Sequence, residues 1–575
     1  MRSTTRTSTN LRLPCIDIDV VEPTAPALWQ RRPPLQFQNS GDNLLTQQTE
    51  PAAKPLDDFL SQLKTSLAGE VSVLNAGPEA QRADQIKGVR YDSRHVAPGD
   101  AFFCIEGQKQ DGNTFIQDAL KKGAALIITE KRPSDEKSLA APFAVVPDVR
   151  LALAKASDYF FDRPSTKLRL IGVTGTNGKT TTTHMVEHLL EKAGKRVGLI
   201  GTLGARWTRA DGDKQYEDLK FTTPQASDLQ ELLASMVSRG LSHVAMEVSS
   251  HALALKRVDG CQFASACLTN ITQDHLDFHK TMDHYWKSKR LLFSQLSESV
   301  QNTKAAVINL DDALAPDFIK SLDKSVRVLT YGWNENADVR AVKADFDFNG
   351  TRLELATPAG SMEINLRLNG VFNVYNAMAA LAICLNEGID RSELKAAIET
   401  FEGVAGRFEL VRVSGPKNES LAQPLCLVDY AHTPDGLDNV LKAARKLVPS
   451  GGKLYVVFGC GGDRDNSKRP QMGEIAENLA DQVVVTSDNP RTEDPQQIIA
   501  DILAGIKRMK DVQVEPDRSQ AIHMAIEAAS EKDVILIAGK GHETYQILAD
   551  KTIHFDDREV VRKALMAKLN LEPAS

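Results

Sequence analysis

Apolar positions between residues 56 and 570 fall into short runs separated by helical spacings, and the pattern changes character twice along the chain. From Leu56 the stretch DDFLSQLKTSL carries apolar residues at helical intervals, and FIQDALKKG does so again. Short apolar segments at 101–105, 125–128 and 144–146 accompany them, which predicts a small α/β unit. Near residue 168 a second pattern begins. A run over 168–173 passes into a glycine loop and a long helical stretch, TTTHMVEHLLEKAG, and further runs recur at 197–200, 243–248 and 305–308. Apolar runs joined by helices predict a parallel sheet. After Gly406 come four more runs, 425–428, 454–458, 483–485 and 534–537, each ending in a polar or glycine-rich cluster: DYAHTPD, GCGGDRD, SDNPRTE and AGKGHE. Ligands of open α/β sheets bind beyond the carboxyl ends of the strands, so four clusters at four such ends predict one shared crevice. Turns also favour Gly, Asp and Asn, but a turn alone does not call for His432, Arg464, Arg491, Lys540 and His542.

The expected fold class is α/β in three domains: a small N-terminal α/β domain (56–166), a central P-loop ATPase-like domain with a parallel sheet (167–405) and a C-terminal Rossmann-like domain (406–575). Residues 1–55 are polar and proline-rich with little periodicity and read as a disordered extension. The 575-residue length suits several domains, and no internal repeat is visible. A net charge of −7 argues against nucleic acid or an anionic membrane as the main partner. Seven cysteines, an odd number with no C-x-x-C pair, suggest neither a disulfide framework nor a zinc site, and point to a reducing cytoplasm. No apolar run reaches membrane-spanning length. The first residues, MRSTTRTSTNLRLP, weakly resemble an organelle transit peptide, a pattern that Asp17 to Glu22 breaks.

The sharpest local signal is Gly175-Thr176-Asn177-Gly178-Lys179-Thr180-Thr181, between a predicted strand and a predicted helix. Glycines let backbone N–H groups turn toward phosphate oxygens, and the helix N-terminus adds partial positive charge. Lys179 suits the β/γ-phosphates and Thr180 suits Mg²⁺. The general motif places a glycine six residues before the lysine, where this chain has Val173.

The T-G-T-N-G-K-T form of this loop resembles that of the Mur ligases, which build the peptide of peptidoglycan. Further motifs agree in order: Met246-Glu247-Val248-Ser249-Ser250-His251, Thr269-Asn270-Ile271, Asp274-His275-Leu276-Asp277, Asn309 with Asp311 and Asp312, Gly370 with Asn373 and Asn376, Gly406-Arg407, and the four clusters of the last domain. The resemblance covers about residues 85 to 570. It implies an ATP-dependent ligase, assisted by Mg²⁺, that activates the carboxylate of UDP-N-acetylmuramoyl-L-alanyl-D-glutamate as an acyl phosphate for attack by an amine. Asp488-Asn489-Pro490-Arg491 resembles the version specific for meso-diaminopimelate. The physical reason is that a guanidinium recognises the carboxylate which L-lysine lacks.

The resemblance also implies roles for residues. Lys179, Glu247, His275 and Lys289 would be catalytic. Thr180, Glu247 and His275 would hold Mg²⁺, together with Lys289 as a carbamate. Lys289 lies fourteen residues after His275; the neighbouring Lys287 is the competing candidate. Asn309, Asp311 and Arg407 would join Gly175 to Thr181 at ATP. The UDP-sugar peptide would meet Tyr91, Ser93, Gln108, Lys109, Gln110, Thr222, Thr223, Ser249, Leu255 and Arg257, with departures from the family pattern at Phe221 and Leu255. Diaminopimelate would meet Arg464, Asp488, Asn489, Pro490, Arg491, Gly539 and Glu543. A cytoplasmic monomer is expected. The alternatives are an L-lysine-adding ligase, a folylpolyglutamate synthetase and a non-catalytic plastid assembly protein. Arg491 argues against the first, DNPR and the first domain against the second, and retention of Lys179, Glu247, His275 and Lys289 against the third.

Overall fold

Each apolar run becomes a strand in the computed structural model, which describes residues 52–571 apart from 75–82, 108–109, 133–140, 210–211, 348–349, 416–418 and 420. The predicted extension over 1–55 lies almost wholly outside the described residues. The stretch opening at Leu56 forms a helix, Leu56–Ser66, that buries Leu56, Phe59, Leu60 and Leu63, the spacing of a single helical stripe. That stripe packs on the helix Val149–Phe160. Beneath them lies a five-stranded sheet in the order Ser72–Leu74, Phe143–Val145, Leu126–Thr129, Asp100–Phe103, Gly88–Arg90, parallel except at its first pair.

The central sheet has eleven strands. Arg169–Thr174 sits inside it between His243–Glu247 and Phe263–Leu268. The run from Val197–Gly201 through these three and Ala305–Asn309, Arg327–Gly332 and Val339–Asp347 is parallel throughout. Both edges differ from the parallel sheet expected. Gly204–Thr208 and Lys214–Glu217 extend one edge, and Gly350–Ala356 and Met362–Leu366 the other, all antiparallel. The cause is connection length: these strands follow one another through short turns, whereas a parallel return needs a crossover. The Gly350–Ala356 strand alternates buried and outward residues, as a half-buried edge strand should. One core cluster joins Ile171 and Val173 to Met185 and Leu189 of the helix Lys179–Lys192, and to Ala377 and Leu381 of the helix Val371–Asn386. The glycine loop is thereby held between a buried strand and two packed helices.

A third sheet, in the order Glu409–Val411, Leu425–Asp429, Val534–Ala538, Leu454–Phe458, Gln482–Val485, Val512–Val514, is parallel apart from its first pair. Its four polar clusters all leave the same end of the sheet, as predicted. Behind it, Arg518 is fully buried. Its Nε and Nη2 each donate to the Asp557 carboxylate at 2.8 Å, and Nη2 also reaches the Ala538 carbonyl at 3.0 Å. This pairing pins the helices Arg518–Ala528 and Asp557–Lys568 to the strand that feeds the GKGHE cluster.

Removing one partner of a buried ion pair strands the other in low dielectric. Arg518→Leu is therefore expected to destabilise the third sheet by about 3–5 kcal/mol, read as a lowered thermal or urea midpoint. The double replacement Arg518→Leu with Asp557→Leu should recover most of that loss.

Candidate active site

The glycine loop leaves the carboxyl end of Arg169–Thr174, where the strand order reverses, the usual ligand position of such sheets. Gly175 has a φ of +146°, and a Cβ there would stand 1.8 Å from Thr269 Oγ1. Only glycine lets the two loops approach so closely. The neighbouring loop then fixes this one. Thr176 N donates to the Asn270 carbonyl (2.7 Å), Asn177 N to Asn270 Oδ1 (3.0 Å), and Thr269 Oγ1 to the Asn177 carbonyl (2.6 Å). Thr180 and Thr181 begin the helix, both buried.

Lys179 Nζ donates to the carbonyls of Gly175 (3.0 Å) and Thr176 (2.8 Å). The buried Lys289, on the helix Met282–Glu298, donates to the same Gly175 carbonyl at 2.8 Å and lies 4.5 Å from the Tyr285 ring centroid. Burial, and then Lys179, push the Lys289 amine well below the usual lysine range. No carboxylate stands within ion-pair distance of it among the described residues. Lys287, the competing candidate, points outward and pairs with Asp283 at 2.7 Å.

Glu247 ends its strand fully buried. It accepts from Thr202 N (2.8 Å), Thr202 Oγ1 (3.1 Å) and Thr180 Oγ1 (3.0 Å). His275 adopts a left-handed φ of 54° ahead of the short helix Leu276–His279, and its Nε2 lies 3.3 Å from Asp274 Oδ2. Burial lowers the His275 imidazole below the usual histidine range, so it is neutral at physiological pH. Burial alone would raise the Asp274 carboxyl, but His275, His432 and Lys468 outweigh it and hold it below the usual carboxylate range. Thr180 and Glu247 set hard oxygens beside a phosphate loop, the donor type that Mg²⁺ prefers. No three His, Cys, Asp or Glu side chains converge to hold an ion by themselves among the described residues.

The third sheet closes over this loop. Arg407 Nη2 donates to Thr180 Oγ1 at 3.1 Å, with its guanidinium 4.3 Å from the Tyr430 ring centroid. Asp435 accepts from Asn177 Nδ2 (2.7 Å) and Thr272 Oγ1 (3.3 Å). Asn309 and Asp311 sit at the loop's flank, both engaged by backbone. Asn309 donates to the Thr269 carbonyl (2.8 Å), and Asp311 accepts from Trp333 N (2.6 Å), Asn334 N (3.0 Å) and the Tyr375 hydroxyl (2.8 Å).

At the strand ends of the third sheet, Asn489 Nδ2 donates to Glu543 Oε2 at 2.8 Å, and Asp488 lies against Gly539. Burial, and then Asp488, raise the Glu543 carboxyl. Arg491, at a φ of 54°, donates through Nη1 to the Gly462 carbonyl at 2.7 Å, beside the buried Pro490. Arg464 is exposed and, among the described residues, donates only to the carbonyl of Asp463, so the structure does not join it to the rest.

The expected sugar-peptide residues divide. Thr223 Oγ1 donates to the Glu247 carbonyl (2.9 Å) and accepts from Ser249 N (3.1 Å), and Arg257 Nη1 donates to the Thr223 carbonyl (3.0 Å). Arg257 is buried over the Phe221 ring, with its Nε unpartnered, and burial lowers its guanidinium to about 10. Thr222 meets Thr202 at 3.3 Å, which ties this group to Glu247. Across the unit boundary the Tyr91 hydroxyl donates to Asp228 at 2.8 Å. Ser93 is buried, Gln110 is exposed and Leu255 is half-buried; Gln108 and Lys109 lie outside the described residues.

Several residues that matter here carried no assigned role in the sequence. Thr202 anchors Glu247, Asp274, quoted there only as part of its motif, lies beside His275, Tyr430 lies under Arg407, and Asp435 clasps Asn177. Tyr430 and Asp435 belong to the DYAHTPD cluster, whose position at a strand end was the available signal. Thr202 carried none.

Three family models match the chain: the Mur ligase family, catalytic domain over residues 85–160, the Mur ligase middle domain over 173–384, and the Mur ligase, glutamate ligase domain over 406–541. The UDP-N-acetylmuramoyl-L-alanyl-D-glutamate–2,6-diaminopimelate ligase of Geobacillus thermodenitrificans is 46% identical over 483 residues, 84% of this chain and 95% of that protein. A ligase of the same name from Clostridium acetobutylicum is 46% identical over 477 residues, 83% of this chain and 94% of that protein. A solved structure of such a ligase aligns with a TM-score of 0.60 at 35% identity, covering 85% of this chain and 97% of the other. The matched segments hold the glycine loop, Glu247, His275, Arg407 and the DNPR turn, and the chain belongs to the Mur ligase family.

Proposed function

We propose that this chain is an ATP-dependent amide ligase that joins meso-2,6-diaminopimelate to UDP-N-acetylmuramoyl-L-alanyl-D-glutamate in peptidoglycan precursor synthesis. In this reading residues 56–166 bind the UDP-sugar, 167–405 bind ATP and 406–575 bind the amino acid. A carboxylate oxygen of the dipeptide attacks the γ-phosphorus and ADP leaves. The amine of the amino acid then attacks the acyl carbon, loses a proton, and phosphate leaves. Phosphorylation is needed because oxide is too poor a leaving group for a carboxylate to react with an amine directly.

The observation that carries the reading is that Glu543, Asn489 and Arg491, suited to an ammonium and a carboxylate, stand at the strand ends of the same unit whose Arg407 and Asp435 touch the phosphate loop. Relatives named as 2,6-diaminopimelate ligases favour it over L-lysine addition. The backbone of residues 175–181 with Lys179 would cradle the phosphates, and Arg407 would bridge them from the third unit. Thr180, Glu247 and the neutral His275 would hold Mg²⁺, which when bound neutralises phosphate charge. Thr222, Thr223, Ser249 and Arg257 would place the acceptor peptide beside Glu247. Lys289 suits carbamylation because burial beside Lys179 disfavours its ammonium. The free amine can bond to the carbon of CO₂ and release one proton, which turns a buried amine into an anion.

Two outcomes test this. Phosphate release with the UDP-dipeptide should require meso-diaminopimelate, and Arg491→Glu should raise the KM for it by about 10²-fold while that for ATP stays near wild type. Equal use of L-lysine by the unaltered protein would refute the assignment. Lys289→Ala should lose about 10²-fold or more of the activity, with no recovery in added bicarbonate. Full activity in that variant would remove Lys289 from the chemistry.

A further inference from the structure

Lys540 is fully buried, yet the chemistry described above leaves it without a task. It lies inside the GKGHE cluster, between Gly539 and Gly541, and its Nζ donates to two side chains of the amino-acid receptor: Asn489 Oδ1 at 3.1 Å and Glu543 Oε2 at 3.1 Å. The Asn489 carbonyl oxygen also accepts from Ile547 N at 3.0 Å. Two donors on that oxygen allow only one orientation of the amide, the one that sends Nδ2 to Glu543 Oε2. Glu543 Oε2 thus has two donors, while Oε1 has none among the described residues. A buried lysine without a carboxylate or substrate to serve is costly, and here its charge is spent within the receptor.

We propose that Lys540 is a positioning and specificity-determining residue for the amino-acid substrate, orienting Asn489 and occupying one oxygen of Glu543 so that only Oε1 is left for the substrate's distal ammonium. The inference rests on the diaminopimelate reading given above. Because Lys540 already balances Glu543 in part, a lone distal ammonium, such as that of L-lysine, gains little there. Tight binding then also needs the neighbouring carboxylate on Arg491. Without Lys540 the receptor would be short of one positive charge, and any distal ammonium would be drawn to Glu543.

The test uses the full-length chain with Lys540→Met and Lys540→Arg, following phosphate release with meso-diaminopimelate or L-lysine as the amine. Lys540→Met should lower kcat/KM for diaminopimelate by about 10–100-fold and leave the KM for ATP and for the UDP-dipeptide within about 2-fold. The ratio of kcat/KM for diaminopimelate to that for L-lysine should fall in the same variant, and Lys540→Arg, which keeps the charge, should retain most of it. A merely structural lysine would lower all three substrates' parameters together and leave the ratio unmoved, and that result would overturn the proposal. Unchanged diaminopimelate kinetics in Lys540→Met would overturn it as well. If Lys540→Met melts early, Lys540→Gln, which can still donate to Asn489 without the charge, replaces it under the same criteria. A wild type that does not use diaminopimelate at all would instead sink the functional reading itself.

Discussion

Two lysines reach for one carbonyl. Lys179 and Lys289 both donate to the Gly175 oxygen, at 3.0 and 2.8 Å, from different helices. A backbone carbonyl cannot balance two ammonium charges in an enclosed site, and burial lowers both amines, Lys289 the further because Lys179 stands beside it. The loop is therefore built around two amines that compete for one oxygen. The rest of the central unit serves this arrangement. The strand Arg169–Thr174 and the packed helices fix the Gly175 carbonyl, and Thr269 to Thr272 fix the loop's outer side.

The same loop ties the central unit to the third. A Cβ on Gly406 would stand 2.1 Å from His542 N, so the Gly406-Arg407 turn and the GKGHE turn lie in backbone contact. Arg407 reaches Thr180 from that turn, and Glu543 hangs from the other. The imidazoles of His432 and His542, lowered to about 4 and about 3 chiefly by burial, flank Tyr430 as neutral rings. They pack beside Arg407 without adding charge to a junction already rich in it.

Strand positions were legible because the buried strands are continuous apolar runs, and every run marked in the sequence of the central and last units became one within a residue or two. The edge hairpins were not. Gly204–Thr208 and Lys214–Glu217 carry mixed polar residues, the second being the outermost strand with alternate residues exposed, and their signal is weak. In the site, Gly175 to Thr181, Glu247, His275 and Arg407 were found because they lie in ordered motifs at strand ends. Thr202 was not, and Asp274 stood in its motif without a role, because what each does depends on a partner supplied by folding.

The amino-acid sequence by itself determined which residue types stand at the strand ends, and with them the α/β class and the phosphate loop, because those depend on local periodicity and local backbone freedom. It could not determine that Lys289 would be buried against Gly175, that Arg464 would stay exposed, or that Lys540 would be spent on Asn489 and Glu543. Burial and charge pairing are set by chains of contact between residues far apart in sequence, and only the tertiary structure decides them.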